Sequence, residues 1–451
     1  MKKITIIGGG ASGTLLTVNL LKHAGGQPLE INFVEKKSRR GKGVAFGTTF
    51  ETHLLNVPAG RMGGFRDDVG HFYEWLTANG HKYDPHDFVP RLLFGDYLKD
   101  LLGMAAANPA EGIVLKLIDD EAVDVTNTGS TSVVSLQNGG QIVSDIVVLA
   151  FGNFAPPHPN VPDLAFAAHE RYFQNPWEGR LYDSLAPDDS IFIIGTGLSM
   201  VDVAMHLKKN GHRGKISAIS TRGMLPTIHE LGHTYPAFNE EVIGSVRITD
   251  LLKTVRRHVK KAHAEGSNWR AVIDALRPVT QQIWLDLPLA EKRYFMQHLS
   301  RYWNVARHRM PPEAAEVIAA MRTSGDLDIL KGRLRDISVG DGRFAVRFAE
   351  MGVERLVTAD VLVNCIGSES NFAKVDSDLI RNLIAGGLVR VDDLSLGLDA
   401  RPDGAVIGSD GDISPRLFTL GTALKGILWE STAIPEIRVQ ARDLALKLSA
   451  I

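Results

Sequence analysis

The chain holds a single cysteine, Cys365, among 451 residues. An internal disulfide is excluded, and so is a redox-active Cys-x-x-Cys pair. Dithiol chemistry on the protein's own thiols is thereby removed. No apolar run approaches the length of a membrane span. The first strand-like segment, MKKITIIG, has no charged leader or apolar signal core ahead of it. Both point to a cytoplasmic protein with no membrane partner. Charge of one sign is missing too. Against 50 Lys and Arg stand 52 Asp and Glu, a formal net charge of −2. No overall field argues for nucleic acid. No nucleophile triad or carboxylate pair stands out, and His229, His233 and His308 lack metal-ligand spacing. What remains is long enough for two or three domains, and its 44% hydrophobic and 23% charged residues suit a soluble globular enzyme.

Two glycine-rich turns carry the information. The first lies in KITIIGGGASGTLL, with Gly8, Gly10 and Gly13 in the order G-x-G-x-x-G. The second lies in SIFIIGTGLSMVDVAMHL, with Gly195, Gly197 and then Met200 in place of a third glycine. Each follows an apolar run and opens an amphipathic helix, the context of a dinucleotide fingerprint. One glycine permits the tight turn, the next lets the backbone approach a pyrophosphate, and the third brings helix and strand together. Ala11 and Ser12 in the first turn, and Leu198 and Ser199 in the second, present free N–H groups at the positive end of a helix. Met200 is expected to loosen the second helix–strand contact. Two fingerprints suggest two different dinucleotides, and a flavin with a nicotinamide is the natural electron-passing pair.

The strand ends separate them. Glu35, followed by Lys36, closes the segment LEINFVEK; an acid there suits ribose hydroxyls and repels a 2′-phosphate. The alternative for Glu35 is a solvated strand end. At the matching end of KISAISTRG stand Thr221 and Arg222, and a basic residue accommodates a 2′-phosphate. The alternative for Arg222 is an ordinary surface arginine. This contrast assigns FAD to the first site and NADPH to the second. Residues 40–66 are glycine-rich and aperiodic, and form a ligand-lining loop rather than a plain surface excursion.

Helices are expected from Ala11 to about Ala24, His71 to Asn79 and Leu92 to Ala107. Residues 113–150 alternate as strands, with Asn138-Gly139 as a hairpin turn and an exit at Gly152 close to a bound dinucleotide. The run APPHPNVP marks a domain crossing. Residues 240–325 read as helices, their basic run (Lys253, Arg256, Arg257, Lys260, Lys261) forming a solvated face. Arg307, His308 and Arg309 either face the active site or tie the helices to the sheet. ADVLVNCIG echoes SDIVVLAFG, as two similar nucleotide domains would give, and Cys365 within it is buried filler. The C-terminal helix follows a proline break and folds back on the first domain. The fold class is α/β, with two Rossmann-like dinucleotide-binding domains and a helical insertion. The expected divisions are 1–175 plus 368–451 for FAD, 176–230 plus 326–367 for NAD(P)H, and 231–325 for the insertion.

The runs GGGASG, RGKGVAFGT with HLLNVPAGRM, FVPRLLFGDYL, VVLAFGN, IIGTGLSMVDVA with STRGMLP, RYWNVARHRMPP, VNCIG and LFTLGTALKGILWESTAIPEIRVQA span most of the chain. In these the chain resembles bacterial FAD/NAD(P)-binding flavoproteins, distant relatives of flavin-containing and N-hydroxylating monooxygenases. The resemblance implies non-covalent FAD, its pyrophosphate at Gly8–Gly13 and its ribose at Glu35. It implies a flavin ring near Gly43, Ala45, Phe46, Asn56, Val57 and Met62, with Val123 and Gly152 along the dinucleotide and Gly421-Thr422 closing over it. Relatives often carry an aspartate where Thr422 stands. The monooxygenase signature ahead of the second turn is degraded: Phe166, His169 and Tyr172 are present without the family's spacing or glycine. Asn56 is the candidate hydrogen-bond donor beside the flavin and Arg61 a substrate or cofactor anchor. The implied reaction is hydride transfer from NADPH to FAD, then reaction with molecular oxygen and transfer of one oxygen atom to a small nucleophilic substrate. An NADPH reductase or oxidase without oxygen insertion, and a redox sensor holding FAD structurally, stay open. So does a homo-oligomer.

Overall fold

A computed structural model describes residues 1–23, 28–177 and 179–451. Its first sheet has six strands in the order Ala405–Ile407, Ile413–Thr419, Ile146–Leu149, Lys2–Ile7, Leu29–Val34 and Ile113–Ile118. All neighbours are parallel except the first pair. The second sheet has five parallel strands: Leu327–Lys331, Ile216–Ser220, Ile191–Ile194, Val361–Asn364 and Tyr172–Phe173. Central strands such as IVVL and IFII are buried throughout, as continuous apolar runs in a sheet covered on both faces should be.

The two units repeat each other to the hydrogen bond. In each, a three-stranded antiparallel meander sits between the third parallel strand and the return strand: Ala122–Ser144 in the first, Arg333–Ala359 in the second. The return strands carry the echoing runs SDIVVLAFG and ADVLVNCIG. Asp145 accepts the Lys3 N–H at 2.7 Å, and Asp360 accepts the Ser190 N–H at 2.8 Å. At the far end, the Ala150 N–H reaches the Ile7 carbonyl at 2.8 Å and the Cys365 N–H reaches Ile194 at 2.7 Å. An acid that anchors one end of each return strand thus recurs with a small residue that ends it. Cys365 is buried in the second core, and burial pushes its thiol pKa far up.

The helix Ala11–His23 is sandwiched between the first sheet and the C-terminal helix Ile434–Ala450, which carries Pro435 in its first turn and does fold back on the first unit. The expected end of the former helix, Ala24, lies outside the described residues. In the second unit the helix Leu198–Lys209 takes this place. Met200 is fully buried there, so a side chain is accommodated where the first unit has none.

Between residues 248 and 324 the chain is helical. The helix Ile248–Ala264 buries Ile248, Leu251, His258 and Ala262 and leaves Lys253, Arg256, Arg257, Lys260 and Lys261 exposed. That is the stripe an amphipathic helix shows, and the basic run is solvated. Two elements fall on the other side of the expected divisions. The helix Pro312–Ser324 packs on Leu198–Lys209 and leads straight into the strand Leu327–Lys331. Structurally it covers the second sheet rather than belonging to the insertion. Tyr172–Phe173, ahead of the expected division at 175, is likewise an edge strand of the second sheet.

Candidate functional site

The first turn is fixed by collisions. Gly8 has φ of +106°, and a Cβ there would lie 2.7 Å from the Ala150 carbonyl oxygen. A Cβ on Gly13 would collide with the Gly8 carbonyl oxygen, so this glycine serves helix–strand contact and does not line the cavity. Gly9, which the fingerprint leaves free, is equally constrained: a Cβ would stand 2.6 Å from that of Glu35. The Gly9 N–H donates to Glu35 Oε2 at 2.9 Å and the Lys36 N–H to Oε1 at 2.9 Å. The carboxylate is therefore held at the strand end before any ligand arrives. The first helical bond runs from the Thr14 N–H to the Gly10 carbonyl at 2.9 Å. The N–H groups just before it have no helical acceptor and are left free at the positive end of the helix.

These groups open into a cavity of about 430 Å³. Gly8, Gly10, Ala11 and Ser12 form its floor, with Glu35 and Lys36 from the neighbouring strand end. Gly43, Ala45, Phe46, Asn56, Val57 and Met62 come from the loop, and Gly152 and Thr422 from the strand exits. The glycine-rich loop thus lines this cavity, and it is held there because the Gly41 N–H binds the Gly9 carbonyl at 2.8 Å. Three expected residues are displaced. Arg61 ends a short turn, Ala59–Arg61, and its side chain is exposed away from the cavity while its neighbour Met62 lines it. Val123 gives its carbonyl to Asn382 at 2.9 Å, and Glu121 and Ala122 line the cavity instead. Gly421 presses on Ser12 from behind, its N–H bound to Gln440 Oε1 at 2.7 Å.

Arg91, Phe151, Phe154, His308 and Thr432 also line the cavity; all but Phe154 lie in the runs that carry the resemblance, and only His308 is singled out there as facing a site. Arg91 opens the helix Arg91–Ala107 and reaches Asp202, on the helix after the second turn, at 2.9 Å. Burial lifts the Asp202 pKa to about 6, and the Arg91 charge opposes that rise. His229 donates from Nε2 to the Asn56 carbonyl at 3.0 Å, which fixes the backbone of the candidate donor. Burial lowers the His229 pKa to about 4, so the ring is neutral at pH 7. The triplet Arg307-His308-Arg309 divides its work. Arg309 is buried and pairs with Asp274 inside the helical part at 2.9 Å. Arg307 lies 3.7 Å from Glu430 and 3.9 Å from Glu436 of the C-terminal segment. His308 alone faces the cavity. Its burial lowers its pKa, Glu430 opposes this, and Arg307 and Lys425 reinforce it.

The second turn repeats the first. Gly195 has φ of +114°, and a Cβ there would clash with the Cys365 carbonyl. Its N–H reaches the Ile219 carbonyl at 2.8 Å, as the Gly8 N–H reaches Val34 at 3.1 Å. Gly197 and Ser199 are open to the surface at the start of the helix with Leu198, and Thr221 and Arg222 are exposed beside them. The matching bonds align Ile219 with Val34. Ser220, not Thr221, therefore occupies the place of Glu35, with Arg222 two residues further on. The Ser220 hydroxyl lies 2.9 Å from that of Thr196, which also reaches the Met224 carbonyl at 2.6 Å. No carboxylate stands where the first unit has one.

A fold with two such units is that of flavoenzymes binding FAD and a nicotinamide dinucleotide. Residues 5–154 match the model of a family described as FAD-NAD(P)-binding. An ornithine N-hydroxylase from Kutzneria is similar over 99% of this chain and 98% of its own, at 13% identity and a TM-score of 0.66. L-lysine 6-monooxygenase from Pseudomonas syringae is similar over the whole of both chains, at 12% identity and 0.63. A bacillithiol disulfide reductase from Bacillus cereus follows over 100% and 99%, at 13% and 0.58. The resemblance to FAD/NAD(P)-binding flavoproteins, and distantly to N-hydroxylating monooxygenases, thus holds in the fold. No curated protein sequence matches the chain. Among the described residues, no helix is long and apolar enough to cross a membrane.

Proposed function

We propose that the chain is an FAD-dependent NADPH oxidoreductase that transfers one atom of molecular oxygen to a small nucleophilic substrate. The observation that carries the two coenzymes is the duplicated unit with opposite chemistry at its two strand ends, Glu35 in one and Ser220 and Arg222 in the other; the likeness in fold to an ornithine N-hydroxylase and an L-lysine monooxygenase supports the oxygen transfer. The first cavity fits FAD. Free N–H groups suit a pyrophosphate, the fixed Glu35 carboxylate suits ribose hydroxyls, and the Gly43 backbone leaves room where a Cβ would stand 2.9 Å from Gly10 Cα. Phe46, Leu55, Val57 and Met62 supply apolar surface for a planar ring. Arg222 at the open second turn suits a 2′-phosphate.

When bound, FAD supplies hydride acceptance and reaction with oxygen. The protein's residues orient and shelter. Gly10, Ala11 and Ser12 would hold the pyrophosphate, and Asn56, its backbone carbonyl bound by His229, stands at the cavity wall. The apolar side chains keep water from the ring. His308 presents its ring to the cavity, where burial disfavours its charged form. Arg61 has no part in this.

The disulfide reductase among similar folds favours a second reading, NADPH-dependent reduction without oxygen transfer. Cys365 is the chain's one thiol, and it is buried with its pKa raised, which disfavours exchange at that residue. A panel of small amines and thioethers, turned over with NADPH under isotopically labelled dioxygen, separates the readings. A product bearing one labelled oxygen supports the proposal. NADPH consumption with hydrogen peroxide alone across the panel supports the second.

A further inference from the structure

The two units also differ at the next strand along. Parallel pairing sets Val34 opposite Ile118 in the first unit and Ile219 opposite Leu330 in the second. Val34 and Ile219 are equivalent, because each carbonyl accepts the N–H of the first glycine of its turn. Ile118 therefore matches Leu330. The residues that follow, Asp119, Asp120 and Glu121, match Lys331, Gly332 and Arg333. A second landmark fixes the same alignment. Each meander opens with a register shift, between Ala122 and Asp124 in the first unit and between Leu334 and Asp336 in the second. Two acids of the first unit, Asp119 and Glu121, thus stand where the second has Lys331 and Arg333. The reversal has the same sense as that from Glu35 to Ser220 and Arg222.

In the first unit these positions border the nucleotide cavity. Asp120 and Glu121 line it together with Glu35 and Lys36, and Asp119 accepts the Lys37 N–H at 2.6 Å. Lys37 is the counterpart of Arg222 in the same alignment. The second unit is packed alike. The Gly332 N–H reaches the Ser220 carbonyl at 3.0 Å, and a Cβ on Gly223 would lie 3.1 Å from that of Lys331. The loop that carries Arg222 therefore runs against the root of the Lys331 side chain. Lys331 pairs with Ser220 in parallel register, which puts both on one face of the sheet. That face meets the glycine turn, where Thr196 donates to the Ser220 hydroxyl at 2.9 Å. Arg222, Lys331 and Arg333 are all exposed. Among the described residues none of the three forms an ion pair, whereas Glu121 pairs with Lys36 at 2.6 Å.

We propose, on the reading that the second turn holds NADPH, that Lys331 and Arg333 join Arg222 around the 2′-phosphate and set the preference for NADPH over NADH. A phosphate monoester carries a charge of about −1.5 to −2 near pH 7. One exposed cation meets it with little energy; three around one spot act together, and an acid at either position would repel it.

The test uses the FAD-loaded protein and two probes, NADP⁺ and NAD⁺, titrated calorimetrically. They differ only in the 2′-phosphate. The parent is expected to bind NADP⁺ more than about tenfold more tightly. Lys331→Gln and Arg333→Gln should each weaken NADP⁺ about fivefold, the worth of one exposed charge pair, and leave NAD⁺ affinity and FAD content unchanged. Lys331→Arg, which keeps the charge, should bind as the parent does. Lys331→Asp combined with Arg333→Glu, which recreates the acids of the first unit, should remove the preference altogether. If Arg222→Ala weakens NADP⁺ and neither glutamine variant does, Lys331 and Arg333 have no such role and the NADPH site stands. Equal losses of NADP⁺ and NAD⁺ in the glutamine variants likewise overturn the role. A parent that binds both probes equally, or neither, overturns the NADPH site and the role with it.

Discussion

The guanidinium of Arg91 lies 2.9 Å from the carboxylate of Asp202, with both side chains largely withdrawn from solvent. One residue is in the wall of the first cavity and the other on the helix opened by the second glycine turn. Arg91 also donates to the Leu54 carbonyl at 2.9 Å and stacks over Trp177 at 5.0 Å. Hydride transfer between two bound dinucleotides depends on how their units are held together, and this pair is one tie between them.

Asp202→Asn should therefore lower stability by about 3 kcal/mol, because it leaves the Arg91 charge buried without its partner. The denaturant midpoint reads the effect directly. Anaerobic reduction by NADPH should slow in the same variant at unchanged FAD content. A midpoint equal to the parent's would remove the pair as a tie.

Collision at Gly13 gives a contrast between two alanine substitutions. Gly13→Ala places a Cβ against the Gly8 carbonyl and should yield protein with little FAD. At Gly152, also beside the cavity, a Cβ meets nothing within 4 Å, so Gly152→Ala should retain flavin. The ratio of flavin to protein absorbance decides both. Full flavin in Gly13→Ala would contradict the placement of the pyrophosphate.

The second turn makes a claim about coenzyme choice. Arg222→Ala should raise the KM for NADPH about tenfold and leave NADH nearly unchanged. Ser220→Asp, which recreates the acid of the first unit, should shift preference further toward NADH. Equal losses for both coenzymes would place the 2′-phosphate elsewhere.

Acid should destabilise the fold through its buried histidines. Burial lowers the pKa of His53 to about 3, with Arg91 adding to the effect, and that of His229 to about 4. Both are depressed, so the unfolded chain binds the extra proton below about pH 6.5. Their contribution is complete above that pH and falls as pH drops toward the folded values, approaching about 1.4 kcal/mol per pH unit for each. Asp202, raised to about 6, works the other way between there and its ordinary value of 3.8. His53→Gln should flatten the loss between pH 6.5 and 5 when midpoints are measured across that range. An unchanged slope would contradict the assignment.

Much of this was legible because collisions leave few choices of residue. Gly8, Gly13 and Gly195 announce strand, turn and helix wherever they recur, and the echo of SDIVVLAFG in ADVLVNCIG exposed the duplication. Gly9 escaped notice because the fingerprint treats its position as free, although the Glu35 side chain fills the space beside it. Ser220 escaped because its equivalence to Glu35 depends on strand register, which sequence spacing alone does not set. Arg91 reaches the cavity from a separate element, and only folding brings it there; for the triplet Arg307-His308-Arg309 the sequence leaves two roles open, and folding divides them. Arg61 was misplaced because consecutive residues of a short turn point in different directions, Met62 inward and Arg61 to solvent.

The central claim is that the two glycine turns hold an electron donor and its acceptor within reach of each other. The most direct test is to mix the purified FAD-loaded protein with NADPH in the absence of oxygen and follow the visible absorbance of the flavin. Complete bleaching by NADPH, with much slower bleaching by NADH, is the expected result. A flavin that stays oxidised with either coenzyme would contradict the account and leave the FAD as a structural element.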